Sequence, residues 1–382
     1  MKRTLYGPDH EDFRRSVAEF LAKEVIQHIE EWERDGIVPR TLFNAAARVG
    51  INGLQIPVAH GGSGVDSFLF NAVVIEETGR AGATLGGLNV HLNTVLDYFL
   101  KYATPEQARR WLPGMASGEL VSSIAMTEPG TGSDLAGVAT TAVRDGDEYV
   151  VNGSKTFITG GVNADLVVTV VRTSPTTENR RSGLSLLVVE TDRAGFSVGR
   201  RLDKLGLKAQ DTAELFYDDV RVPVHNRLGK EGDGFAMLTA NLPQERLTAA
   251  LGSLASATCA LRLTLEYVQE RQVFGRPISD FQNTKFVLAG CATELTAGQA
   301  MADQALLLLD AGELGVADAA AVKLFCTEMQ GRVVDACMQM FGGYGYMLDF
   351  PISRLYADAR VSRIYGGTSE VMKSVISKSL GL

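Results

Sequence analysis

The stretch Met126–Gly137, MTEPGTGSDLAG, divides the chain into two textures. Before it, apolar residues recur with the period of helices; after it, they crowd into short β-rich runs. Its glycines and small hydroxyl residues allow backbone to approach a flat or phosphorylated ligand, with amides and hydroxyls as donors. It is not a G-x-G-x-x-G fingerprint, because Leu135 stands where the last glycine belongs and no strand–turn–helix pattern surrounds it. A doubly wound dinucleotide site is therefore not expected.

Upstream, Phe13, Val17, Phe20, Leu21, Val25 and Ile29 keep a helical spacing that persists, with Gly and Pro breaks, to about Ser117. This predicts an N-terminal α-helical domain over 1–118. Downstream, EYVV and SKTFIT flank Asn152-Gly153, which reads as a two-residue hairpin turn, and DLVVTVV, GLSLLVVE and AELFYDDVRV add further strands. A middle antiparallel β domain is expected over 119–230, with SPTTENRRSG (174–183) as an exposed hairpin loop. Helical periodicity returns in long blocks at 235–272, 280–311 and 315–341 and in shorter ones at 351–359 and 368–379. These lengths suit a C-terminal α-helical bundle over 231–382, so the fold class is α+β in the order helices, sheet, helices.

In 382 residues, 45% apolar and 21% charged side chains supply a large core. The net charge of −8, without a polybasic run, argues against nucleic acid or an anionic membrane as partner. The opening MKRTLYGPDHEDFRRS lacks an apolar signal core, and no segment offers about 18 uninterrupted apolar residues, so a soluble, cytoplasmic protein is expected. Cys259, Cys291, Cys326 and Cys337 are scattered through apolar stretches and read as reduced core thiols. The five histidines show no metal-ligand spacing, and no metal is expected.

Two local features carry chemistry. RIYGGTSEVM (363–372) sets Gly366 and Gly367 before Thr368 and Glu370, which read as the cap and first turn of a helix. The block Phe235–Leu265 holds only three charged residues, Glu245, Arg246 and Arg262. A carboxylate in so apolar a segment is costly to bury unless paired or used. Glu245 reads either as half of an inter-helix ion pair or, with Asn241, Leu242, Thr248 and Ala249 on its face, as a pocket group.

With its motifs assembled, the sequence resembles the acyl-CoA dehydrogenases. TEP followed by GSD (Thr127–Asp134), SKTFITGG (154–161), KLGLKAQDTAELFYDDVRVP (204–223), ERQVFGRPISDFQ (270–282) and QMFGGYGY (339–346) occur in that family's order. The resemblance implies FAD as cofactor and fatty acid β-oxidation as setting, with Met126, Thr127, Gly132 and Ser133 at the flavin ring and ribityl chain and Phe157 and Thr159 over the ring. Phe157 stands where many members have Trp, and Gly160 where Asn is frequent. By the same resemblance Arg271, Phe274, Gln282, Gln339, Gly342 and Gly343 hold the dinucleotide across a subunit boundary, with Thr368 and Glu370 also at the cofactor. This implies a homotetramer built as a dimer of dimers. Most members carry their catalytic Glu where this chain has Gly366. LPQERL (242–247), however, is similar to the long-chain members, in which the Glu matching Glu245 is the base; isovaleryl-CoA dehydrogenases place theirs similarly. The implied reaction is α-proton abstraction by Glu245 with β-hydride transfer to flavin, and the Gly366 N–H binds the thioester carbonyl. Ser133, Leu242, Arg246, Tyr365 and Gly367 join Gly366 around a medium, long or branched acyl group. The implied electron acceptor is electron transfer flavoprotein. Alternatives on the same scaffold are an acyl chain carried on a carrier protein instead of CoA, a flavin oxygenase or nitroalkane oxidase, and a non-catalytic interaction protein.

Overall fold

The computed structural model describes residues 3–175 and 179–382. Its N-terminal helices are α1 (Pro8–Glu24), α2 (Ile29–Asp35), α3 (Thr41–Arg48), α4 (Leu69–Arg80), α5 (Gly87–Val90), α6 (Leu96–Tyr102) and α7 (Pro105–Ser117). Their limits are written locally. At α7, Thr104 and Gln107 exchange side chain-to-backbone hydrogen bonds, Pro105 occupies the first turn, and Gly118 ends the helix at φ 77°. Between α5 and α6 the chain makes a π turn over His91–Val95. Such a turn changes the face that the following helix presents.

Strands β1 (Ser122–Ala125), β2 (Thr141–Asp145), β3 (Glu148–Thr159), β4 (Leu166–Arg172), β5 (Leu184–Glu190), β6 (Phe196–Arg201), β7 (Thr212–Pro223) and β8 (Arg227–Leu228) form one sheet. Its order is β6-β7-β3-β2-β4-β5-β8, with β1 beside β4. Pairing is mostly antiparallel, as expected, but β1 runs parallel to β4, and β2 meets β4 in parallel at Thr141 and Arg172. β4 and β5 are buried along nearly their whole length, which explains their unbroken apolar runs. They pair as a hairpin with Arg172 opposite Leu184; of the loop expected between them, residues 176–178 lie outside the described ones.

The turn expected at Asn152-Gly153 is not there. β3 runs through it with a bulge against β7, and the tight turn falls earlier, at Gly146-Asp147, between the paired Asp145 and Glu148. Asn152 is occupied across the bulge, accepting from the Asp219 N–H at 2.9 Å and donating to Asp219 Oδ1 at 2.8 Å. Gly153 packs so closely on Thr140 that a Cβ would sit 2.5 Å from its hydroxyl. Here glycine serves backbone proximity rather than chain reversal.

The C-terminal helices are α8 (Gly234–Glu270), α9 (Gln282–Asp310), α10 (Val316–Met340), α11 (Pro351–Ala359) and α12 (Ser369–Ser379), each close to its expected block. A small hairpin, β9 (Gln272–Val273) with β10 (Arg276–Pro277), joins α8 to α9. By length and composition α8 could cross a membrane, but it is a core helix here. Leu247, Leu251 and Leu254 share one apolar cluster with Leu69, Ala72 and Ile75 of α4 and Met329 and Val333 of α10. Each such leucine contributes about 2 kcal/mol by leaving water. The four cysteines lie buried and unbridged, as core thiols. Because α4 docks on α8, an N-terminal helix and the C-terminal bundle share a seam, and the candidate site lies along it.

Candidate active site

A helix repeats every 3.6 residues, so Glu245, Thr248, Ala249, Gly252, Ser253 and Ser256 form one stripe down α8. That stripe lines a cavity of about 250 Å³, closed on its other sides by Ile75, Thr78 and Gly79 of α4, by Asn89, Val90 and Thr94 before α6, and by Tyr365 and Gly366. Thr159 and Gln210 of the sheet domain reach it as well. Glu245 therefore points into a chamber shared by all three regions of the chain.

No ion pair reaches Glu245 among the described residues. Its carboxylate accepts one hydrogen bond, from the Tyr98 hydroxyl at 3.0 Å. Arg246 follows it in sequence, but neighbours on a helix face different directions. The Arg246 side chain is buried with Nε and Nη1 unpartnered and does not line the cavity. Burial pushes the Glu245 carboxyl up to about 7; the Tyr98 bond pulls it down, Asp97 adds to the rise, and Arg246 and Lys101 oppose it. A carboxyl so placed is a far stronger base than one in water.

Opposite, Gly366 and Gly367 adopt φ 62° and 96°. A Cβ at Gly366 would meet nothing within 4 Å, whereas one at Gly367 would strike the Met372 methyl at 2.7 Å. Gly366 thus leaves real space where a side chain could stand, and only its left-handed backbone asks for glycine. Lys323, in the core of α10, donates to the Gly367 carbonyl at 2.8 Å and fixes this turn. Burial, then the Arg246 charge, push its ammonium down to about 8. Thr368 caps α12 by accepting from the Val371 N–H, and Glu370 sits exposed in the first turn, so both perform the helix-start role read from the sequence.

On the sheet side, β1 ends in the 126–137 turn without entering an α-helix. Glu128 and Thr131 exchange backbone hydrogen bonds across it, and Gly132 and Ser133 are exposed at its tip. The Thr156 N–H donates to the Thr127 carbonyl at 2.9 Å, binding β3 to the turn. Beyond that contact Phe157 holds φ 59° and is 66% exposed. An aromatic side chain kept in a strained conformation and left uncovered marks a ligand surface. Next to it Thr159 accepts from Gln210 at 3.2 Å. An open glycine tip, an uncovered aromatic face and a hydroxyl–amide pair beside it fit a flat heteroaromatic ring carrying a polar chain.

The remaining expected cofactor residues lie elsewhere. Arg271 follows α8, its guanidinium 5.6 Å from the Tyr344 ring, so the β9–β10 hairpin stands beside the Gly342–Tyr346 segment. Phe274 in that hairpin is 96% exposed, Gln282 begins α9, and Gln339 lies in the last turn of α10. At 1.5 Å rise per residue, Arg271 is roughly 39 Å along α8 from Glu245, farther than one dinucleotide reaches. Neither Leu242 nor Met126, Thr127, Gly132 and Ser133 line the chamber itself. Sequence reading did not single out Tyr98, Gln210 or Lys323. The signal for Tyr98 was Asp97 and Lys101 interrupting an apolar helix, and for Lys323 a lone cation in apolar α10.

Models of the acyl-CoA dehydrogenase family match in three parts: the N-terminal domain over residues 7–119, the middle domain over 123–220 and the C-terminal domain over 232–381. The chain belongs to the acyl-CoA dehydrogenase family, FAD-dependent oxidoreductases of fatty-acid metabolism. It is 41% identical over 378 residues to the mitochondrial long-chain specific acyl-CoA dehydrogenase of Rattus norvegicus, covering 99% of this chain and 88% of that protein. It is 37% identical to an acyl-CoA dehydrogenase of Bacillus subtilis, covering 96% of each. The crystal structure of acyl-CoA dehydrogenase from Geobacillus kaustophilus superposes over the full length of both chains with a TM-score of 0.98 at 43% identity.

Proposed function

We propose that this enzyme dehydrogenates medium- to long-chain acyl-CoA thioesters between Cα and Cβ, with Glu245 as the base. One observation carries the reading: Glu245 and Gly366, with its empty side-chain space, line the same chamber, and no ion pair among the described residues reaches the carboxylate. A flavin held there would supply the acceptor for the β-hydride. Glu245 takes the α-proton, a role worth about 10²–10⁴ in rate. The Gly366 N–H donates to the thioester carbonyl as charge builds on its oxygen, which lowers the barrier by about 3 kcal/mol. Met126, Thr127, Gly132, Ser133, Phe157 and Thr159 would hold the flavin ring and ribityl chain.

The course of the chamber along α8 supports this chain length. Below Glu245 the chamber runs to Ser256, eleven residues on, where α4 closes against α8 so tightly that a Cβ on Gly79 would lie 2.5 Å from the Ala255 Cβ. Eleven residues of helix span roughly 16 Å, the length of about a dozen methylenes. The distance from Glu245 to Arg271 supports an assembly in which Arg271, Phe274, Gln282, Gln339, Gly342 and Gly343 complete the cofactor site of a second subunit, as in a homotetramer. Electron transfer flavoprotein is the acceptor this reading assigns.

Anaerobic titration of the flavin-loaded enzyme with acyl-CoAs of graded length tests it. Flavin bleaching is expected to peak at medium to long chains with little oxygen consumption. Absence of bleaching by any acyl-CoA sinks the proposal.

A further inference from the structure

Resting on Glu245 as the base, we infer that Tyr98 is its positioning residue, and that Asp97 keeps the neighbouring lysine away from it. Tyr98 lies on α6, immediately after the π turn, and is fully buried despite its hydroxyl. That hydroxyl donates to Glu245 Oε1 at 3.0 Å and is the only hydrogen-bond donor to this carboxylate among the described residues. With Oε1 held, the carboxylate cannot rotate freely, and Oε2 is left to meet the substrate proton.

The groups around the pair explain why a phenol is used. Besides Tyr98, the groups whose charge acts on the pair are Asp97, Lys101 and Tyr102 of α6 and Arg246 of α8. The Lys101 charge acts on Glu245, yet its ammonium donates to Asp97 at 2.7 Å and to Asn241 Oδ1 at 3.3 Å and makes no ion pair with Glu245. A lysine bound to Glu245 would orient it equally well, but would stabilise the ionised form and weaken it as a base. A neutral phenol orients the group without adding a positive charge beside it, and so costs less basicity than a bound lysine would. Asp97 complements it by engaging the cation, and its own charge opposes ionisation of Glu245. Burial and the Glu245 charge push the Tyr98 hydroxyl well above its ordinary range, so it stays protonated and remains the donor.

The test is the pH profile of flavin reduction, measured by stopped flow on flavin-loaded Y98F and D97N with one acyl-CoA. Y98F removes the bond that favours the ionised base, so its apparent pKa rises by about one unit. The limiting reduction rate falls about tenfold as orientation is lost, while the dissociation constant for acyl-CoA stays within about twofold. D97N frees Lys101 and deletes a like charge, so its profile moves to lower pH. Opposite shifts support the inference, because a merely structural role would change stability and leave both profiles in place. A Y98F profile superimposed on that of the wild type overturns it. If Y98F does not retain flavin, D97N decides: a shift downward supports the inference and an unmoved profile overturns it. Undiminished reduction in E245Q would instead remove Glu245 as the base, which separates failure of the function from failure of Tyr98.

Discussion

Lys155 and Glu128 form an ion pair of 2.8 Å inside the protein, with the lysine side chain wholly buried and the carboxylate 7% exposed. Lys155 also donates to the Met126 carbonyl at 3.1 Å, while Glu128 accepts from the Ala139 and Thr140 N–H groups. The pair therefore ties β3 to both ends of the glycine turn that would carry the flavin. Removing one partner leaves the other charged and buried, which costs about 3–5 kcal/mol. K155M is expected to lower the urea midpoint accordingly and to purify with less flavin. A variant with wild-type midpoint and full flavin content would show that the pair anchors nothing.

The pH dependence of stability should reveal Glu245. Its carboxyl is raised from 4.5 to about 7, so between those values the folded state binds more protons than the unfolded state. Stability then falls as pH rises through this window; the penalty is absent below about 4.5 and complete above about 7. E245Q carries no such penalty. It should be more stable than the wild type by up to about 3 kcal/mol near pH 8 and match it near pH 4. Parallel denaturation curves across the range check this, and equal stability at high pH would contradict the raised carboxyl.

With Glu245 as the proposed base, the same titration should govern catalysis. With substrate well below saturation, flavin reduction should increase as pH rises through about 7, where Glu245 loses its proton. A rate independent of pH from about 5 to 9 would exclude it as the base.

Gly366 offers a constructive test. Its missing side chain would meet nothing within 4 Å, so a carboxylate placed there has room to reach the chamber. The left-handed backbone makes any such residue strained by about 1–2 kcal/mol. E245Q should lose about 10²–10⁴ of the reduction rate, and E245Q/G366E should recover at least about tenfold of that loss. No recovery in a folded, flavin-loaded double variant would mean that position 366 does not face the reacting bond.

Gly252 lies two turns below Glu245 on the chamber face, and a Cβ there would approach only an Ile75 methyl, at 4.0 Å. G252L should fill the lower chamber and shift preference toward acyl chains shorter by about four to six carbons. Bleaching titrations of this variant with the graded acyl-CoAs report the shift, and an unchanged length profile would place the chain elsewhere.

Much of the architecture was legible in residue order because period and composition are local properties. Phe13, Val17, Phe20 and Leu21 mark α1, and the unbroken VVTVV of β4 marks a strand buried on both faces. Asn152-Gly153 shows the limit. Its dipeptide favours reversal, but cross-strand bonds from Asn152 to Asp219 and the closeness of Gly153 to Thr140 made it a bulge. Local preference, worth about 1 kcal/mol or less, yielded to tertiary partners.

Alone, the sequence determined that helices flank a sheet, that 126–137 is a glycine turn and not a phosphate-binding fingerprint, and that Glu245 is an anomalous carboxylate. These are statements about which residues the chain holds and at what spacing. Only the tertiary structure decided that Glu245 and Gly366 line one chamber, that Tyr98 and not Arg246 holds the carboxylate, and that Lys101 is engaged by Asp97. Tyr98 and Glu245 are 147 positions apart, and they meet because a π turn sets the face of α6 while α8 crosses the chain's core. Their contact depends on how helices turn and cross, which spacing along the chain does not encode.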